Sequence, residues 1–198
     1  MAKKRKVGNL LALAVLSYLT QGPTHPYDLG RMLRAHGDDR SIRFTHGSLY
    51  MVFQQLEKAG FVAPVEIGRA GLRPERTVYA LTDAGRRELR DWLRELVAEP
   101  EHEYPRFVTA LSLIGALPPD EVGSLLTTRL SRLTEVRAST REEIDAALAR
   151  DVHPLFLIEE EFRLALLDTE LRFVTDLLGR IAEWRTAWSA AVSGGGES

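Results

Sequence analysis

The sequence predicts a mainly α-helical protein with one small β-hairpin: an N-terminal winged helix-turn-helix joined to a C-terminal dimerisation domain of long helices. Three observations carry this expectation. Apolar residues recur at helical spacing along most of the 198 residues. Strand-like alternation is confined to Phe61–Ile67 and Thr77–Leu81, on either side of a loop rich in glycine and arginine. The formal net charge of −2 hides a division, because residues 1–97 carry 16 Lys/Arg against 10 Asp/Glu and residues 98–198 carry 10 against 18.

The N-terminal elements follow in order. After the basic run Lys3, Lys4, Arg5 and Lys6, a first helix is expected from about Asn9 to Thr20, with Leu10, Leu13, Ala14 and Leu16 to Ser17 repeating at helical spacing, and Gln21-Gly22-Pro23 stops it. A second starts at Pro26, whose fixed φ suits a first helical position, and runs to His36 with Leu29, Met32 and Leu33 inward. Thr45 is a plausible N-cap for a third helix reaching Ala59, where Gly60 supplies a left-handed stop. Leu49, Val52, Phe53 and Leu56 form its apolar stripe, which leaves His46, Ser48, Tyr50, Gln54, Gln55 and Lys58 on other faces. The two alternating segments then form a hairpin whose loop carries Arg69, Arg73 and Arg76. Three helices followed by a basic hairpin is the order of a winged helix. Thr82 caps a fourth helix to about Val97, with Leu89, Trp92, Leu93 and Leu96 on one side and Arg86, Arg87, Arg90 and Arg94 on the other.

Pro100 and Pro105 break the chain, so the domains are read as 1–97, 98–192 and a flexible tail 193–198. The second domain opens at Pro105 with a short helix, continues from Pro118-Pro119 in a long one, and ends in a last helix after His153-Pro154. That last helix carries two apolar strips, one with Phe162, Leu166, Phe173, Leu177, Ile181, Trp184 and Trp188, the other with Leu164, Leu167, Leu171, Val174 and Leu178. It must therefore bury two sides. Packing one against the winged-helix domain and the other against a second subunit is the economical solution, and it predicts a homodimer with Phe162, Leu166, Phe173, Leu177, Ile181 and Trp184 at the interface.

Composition excludes several functions. No run of about 18 uncharged apolar residues occurs, so no membrane span is expected, and the segment after Leu19 lacks a small-residue cleavage site; the chain reads as cytoplasmic. The absence of cysteine removes disulfides, thiolate metal sites and cysteine nucleophiles. No nucleophile elbow, phosphate loop, dinucleotide fingerprint or H-E-x-x-H pair is present, and His25, His36, His46, His102 and His153 lack ligand spacing, so neither an enzyme nor a metal or cofactor protein is expected.

A basic N-terminal half suits double-stranded DNA, although it also suits a merely solvated surface. A recognition helix presents its leading turn to the major groove. His46, Gly47, Ser48 and Tyr50 hold that position, with Gln54 and Lys58 farther along the same side. The hairpin arginines would enter a minor groove or clamp phosphates, and Lys3 to Lys6 would form an arm that folds onto DNA. Lys3-Lys4-Arg5-Lys6-Val7 also resembles a nuclear localisation signal, while the other features point to a bacterial regulator.

Four segments then carry a resemblance: Leu13-Ala14-Val15-Leu16; His25-Pro26-Tyr27-Asp28-Leu29; Gly47-Ser48-Leu49-Tyr50 leading to Leu56-Glu57-Lys58-Ala59-Gly60; and Tyr79-Ala80-Leu81-Thr82-Asp83-Ala84-Gly85. In this order and spacing, residues 9–97 resemble the PadR family of transcriptional regulators. The resemblance implies a homodimeric winged-helix factor, usually a repressor, that leaves DNA when a small molecule binds. It adds Tyr27 to the expected DNA face, and it makes Trp92, Trp184 and Trp188 candidates for stacking on a flat hydrophobic effector, against the plainer reading of core packing. Pro26 and Met51 stand where the family often has Gly and Pro, so the second helix is expected to start differently and the third to be more regular. A rival reading is a winged-helix protein-interaction module without DNA affinity, and steep salt dependence of duplex binding would separate the two.

Overall fold

The computed structural model describes residues 5–65 and 77–194, with backbone alone over most of the final turns. Two compact units divide after His102, five residues beyond the boundary the prolines suggested.

In the first unit, α1 (Leu10–Tyr18) begins where the Asn9 side chain accepts the Leu11 N–H, and Leu11, Ala12, Ala14, Val15 and Leu16 are all buried. A helix apolar on every side belongs at the centre of its domain. α3 (His46–Lys58) packs across it, and α2 (Pro26–Ala35) packs on α3. The Cβ of an alanine at Gly30 would lie 2.9 Å from Leu49 Cδ1, so the missing side chain is what lets α2 close on α3. Leu29, Leu33, Leu49, Val52, Phe53 and Leu56 complete the core between them, each contributing roughly 1.5–3 kcal/mol by leaving water. Gly60, at φ +79°, turns the chain out of α3 in the left-handed conformation that the sequence called for.

The hairpin follows as β1 (Val62–Val65) and β2 (Val78–Leu81), antiparallel with Val62 opposite Leu81 and Val65 opposite Val78. Thr24, in the α1–α2 connection, adds a bridge to the free edge of β2 through two backbone hydrogen bonds to Tyr79, a third strand position that no alternation announced. α4 (Asp83–Ala98) is capped by Thr82, whose hydroxyl accepts the Gly85 N–H and is also within hydrogen-bond distance of the carbonyls of Gly60 and Phe61. A Cβ on Gly85 would fall 2.1 Å from the Phe61 carbonyl oxygen, so only glycine permits this contact between α4 and the strand.

The second unit holds α5 (Arg106–Ser112), α6 (Pro119–Leu148) and α7 (Ile158–Gly194). Val122 and Leu126 near the start of α6 share a core with Val174, Leu177 and Ile181 late in α7, while Ile144 and Ala147 near its end meet Leu157 and Leu164. The pairing is therefore antiparallel. Arg129 to Glu170 and Arg137 to Asp168 bridge the same two helices.

α7 does have two apolar faces, but the partner of the inner one differs from expectation. Leu164, Val174 and their neighbours lie against α6. Leu177 and Ile181, expected at a subunit interface, are 8% and 5% exposed and belong to this same intrachain core, because their helical positions fall at the edge of the inner strip. Phe162, Leu166, Phe173 and Trp184 remain exposed at 65%, 55%, 41% and 39%. No described helix is long and apolar enough to cross a membrane.

Candidate nucleic-acid interface

The site is built on the start of α3. Thr45 is extended and its hydroxyl accepts the Ser48 N–H at 3.1 Å, while Ser48 Oγ accepts the Thr45 N–H at 2.8 Å. This reciprocal box satisfies two of the donors that a helix start leaves open. Ser48, expected to contact DNA, also has its hydroxyl 2.9 Å from the Thr45 carbonyl, so its hydrogen bonds are spent on the cap and its role is to fix the leading turn.

Outward from that cap the side chains form a surface of rings and amides. Tyr27, from the first turn of α2, stacks on His46 with centroids 5.3 Å apart and planes 12° from parallel. His25 meets Tyr50 edge to face at 5.9 Å. Tyr27 and Tyr50 are each 43% exposed, a fraction that core aromatics do not show. Tyr50, Gln54 and Lys58 follow one another at four-residue spacing, all exposed. Gly47 has only Thr45 Oγ1 near its missing Cβ, at 3.8 Å, so nothing inside the protein requires a glycine there and its bareness faces outward.

The far end of the helix carries both charges, with Lys58 exposed beside Glu57. Glu57 lies on the same side as His46 and Tyr50, and the Tyr79 hydroxyl donates to its Oε2 at 3.3 Å. Burial, and after it the Glu57 carboxylate, raises the Tyr79 pKa above the usual tyrosine value, so the phenol stays a donor at any ordinary pH.

Sequence reasoning passed over two groups here. His25 caps α2, its Nδ1 accepting the Tyr27 N–H at 3.1 Å, and its ring stands beside Tyr50. Arg43 is exposed in the loop just ahead of the α3 cap. A histidine in a cap position and a cation before an N-cap were the available signals.

The basic arm needs correction. Arg5, expected on DNA, has a side chain only 5% exposed; its guanidinium pairs with Glu88 at 2.7 Å and with Glu95, and sits 5.1 Å from the Trp92 ring centroid. Glu88, Trp92 and Glu95 share one face of α4 at helical spacing, so two carboxylates and an aromatic face outcompete any external phosphate. Lys6 is exposed, with its ammonium 5.9 Å from the Phe61 ring. Lys3, Lys4, Arg69, Arg73 and Arg76 lie outside the described residues.

The tryptophans expected at an effector site have distinct settings. Trp92 is 5% exposed in the core of the first unit beneath Arg5, which leaves no open ring face for a ligand. In the second unit Trp184 is partly exposed with Arg180 4.4 Å over its ring, and Trp188 packs on the α6–α7 core. That unit also holds a cavity of about 500 Å³ lined by Phe107, Leu111, Ile114, Leu125 and Leu133, with Arg129 lying 3.6 Å over the Phe107 ring.

Comparison with known proteins bears on this surface. The model of the transcriptional regulator PadR-like family matches residues 15–91, which include α2, α3 and the hairpin. The negative transcriptional regulator PadR of Bacillus subtilis is 27% identical over 135 residues, 66% of this chain and 72% of that protein. Among solved structures, Bacillus subtilis PadR in complex with operator DNA superposes with a TM-score of 0.73 at 22% identity, over 87% of this chain and 99% of that one. The same protein in complex with p-coumaric acid gives 0.72 at 20% identity, over 88% and 99%.

Proposed function

The chain belongs to the PadR-like family of transcriptional regulators, and from that premise we propose that it is a homodimeric, sequence-specific DNA-binding repressor released by a small hydrophobic effector. The observation that carries the reading is the leading half of α3. His46, Tyr50 and Gln54 are exposed along it, with Tyr27 stacked on His46, which supports a helix that reads a major groove. The excess of cations in residues 1–97 supplies the sequence-independent attraction. Such a regulator works in the cytoplasm of a bacterial cell, where the chromosome is.

Dimerisation is assigned to the outer stripe of α7, since Phe162, Leu166, Phe173 and Trp184 form an apolar strip that a partner would remove from water. The effector is assigned to the α5–α6 cavity, whose apolar walls suit a flat ring and whose Arg132 suits an acidic substituent. Bacillus subtilis PadR has been solved with p-coumaric acid, an aromatic acid of that kind.

Fluorescence anisotropy with a duplex selected by the protein from a random pool tests both halves. Binding is expected to weaken steeply with salt, Tyr50→Ala to lower affinity at least tenfold without changing the protein's mass in solution, and p-coumaric acid to release the duplex. Retention of full affinity by Tyr50→Ala would misplace the DNA face, and no duplex binding at low salt would leave the interaction-module reading in its place.

A further inference from the structure

Leu49, Val52, Phe53 and Leu56 of α3 are buried in the core, but a fifth large apolar side chain of the same helix is not: Met51 is 59% exposed. We propose that Met51, with the bare position of Gly47 one turn ahead of it, receives the 5-methyl group of one thymine in each half-site and so sets a base preference. The inference rests on the DNA-binding reading above and assigns one specificity contact within it.

Helical geometry places the pair. At about 3.6 residues per turn, the direction opposite the buried stripe passes within about 30° of Gly47, Met51, Gln54 and Lys58, whereas Tyr50 stands about 70° to one side. All four are exposed. They form the centre of the face that α3 turns away from its own domain, and Met51 is the one among them with an apolar side chain. Long side chains on a helix lean toward its N-terminus, so the surface that Met51 covers lies over the turn holding Gly47. A Cβ at Gly47 would meet only Thr45 Oγ1, at 3.8 Å. That turn is therefore open from outside, and a small apolar group can stand there beside the thioether.

A lone exposed apolar side chain on an ordinary helix needs no partner. On the groove-facing side of a recognition helix its surroundings are defined. The base edges of a major groove present hydrogen-bond donors, acceptors and one apolar group, the thymine methyl. Set against donors and acceptors, Met51 would strip them of water and return no hydrogen bond. Set against the methyl, both apolar groups leave water together. The flexible, polarisable thioether adapts to such a contact. Phosphate contacts hold the protein equally on every sequence, so a methyl contact adds discrimination that the cations of this domain do not supply.

The test replaces thymines by deoxyuridine, one at a time and on both strands, in the duplex that the protein selects from a random pool. Each replacement removes a methyl and leaves every hydrogen-bonding group in place. One position per half-site is expected to cost the wild type about fourfold in affinity, the worth of one buried methyl-sized group. Met51→Ala changes an exposed position to the best helix former, so the fold is expected to survive. That variant should lose a comparable amount on the thymine duplex, lose nothing further from uracil at that one position, and keep the wild-type salt slope because no cation is removed. Wild-type indifference to every methyl, a selected half-site without thymine, a full uracil cost in Met51→Ala at every position, or a Met51→Ala loss independent of any methyl would overturn the contact while leaving DNA binding in place. Failure to select any duplex would instead remove the reading on which it rests.

Discussion

Arg5 shows how the setting of a single side chain outweighs the composition around it. Beside the exposed Lys6 it is drawn inward, because Glu88 and Glu95 are themselves only 15% and 20% exposed and need a partner. Arg5→Ala would leave two poorly solvated carboxylates on one face of α4 and bare the Trp92 ring. Removing one partner from a buried ionic cluster costs about 3 kcal/mol. Urea unfolding should show a loss of that order, mostly recovered by the triple variant Arg5→Ala, Glu88→Gln, Glu95→Gln. Unchanged stability together with weakened DNA binding would return Arg5 to the role that the sequence suggested.

At the scale of elements, the two faces of α7 make opposite predictions. Phe173→Glu places a charge on the outer stripe and should leave helix content intact while halving the mass seen by light scattering. Leu177→Asp, four residues on, buries an unpaired carboxylate against Val122 and Leu126 and should melt the α6–α7 pair. If Leu177→Asp instead gives a folded monomer, the inner and outer faces have been exchanged. The contrast also explains what the sequence could show. Helix starts were legible because a side chain at the cap, Asn9, Thr45 or Thr82, satisfies a donor two or three residues away. The division of α7 into strips was legible from periodicity alone. Which strip α6 covers was not, since Leu177 and Phe173 look alike until the neighbouring helix is in place. Arg5 was illegible for the same reason, its carboxylates lying 83 and 90 residues away. The Thr24–Tyr79 bridge leaves no pattern, because an isolated bridge has no alternation to read.

For the whole molecule, dimerisation and DNA binding are assigned to different units, the acidic one and the basic one. If α7 holds two copies together, the outer stripe governs DNA affinity without touching DNA. A dimer on a two-fold site binds its second half-site as an intramolecular event, at an effective concentration in the millimolar range for close linkage. Phe162→Glu combined with Phe173→Glu should then lower affinity for a duplex with both half-sites by roughly 10²–10⁴-fold, and leave affinity for a single half-site as it was. Wild-type preference for half-sites spaced by about 10 bp or a multiple would accompany it, because only those spacings present both major grooves on one side of the duplex. Equal loss on the single half-site would mean that the substitutions damage the winged helix itself. No loss on either would mean that each subunit reads DNA alone and that the stripe on α7 serves another contact.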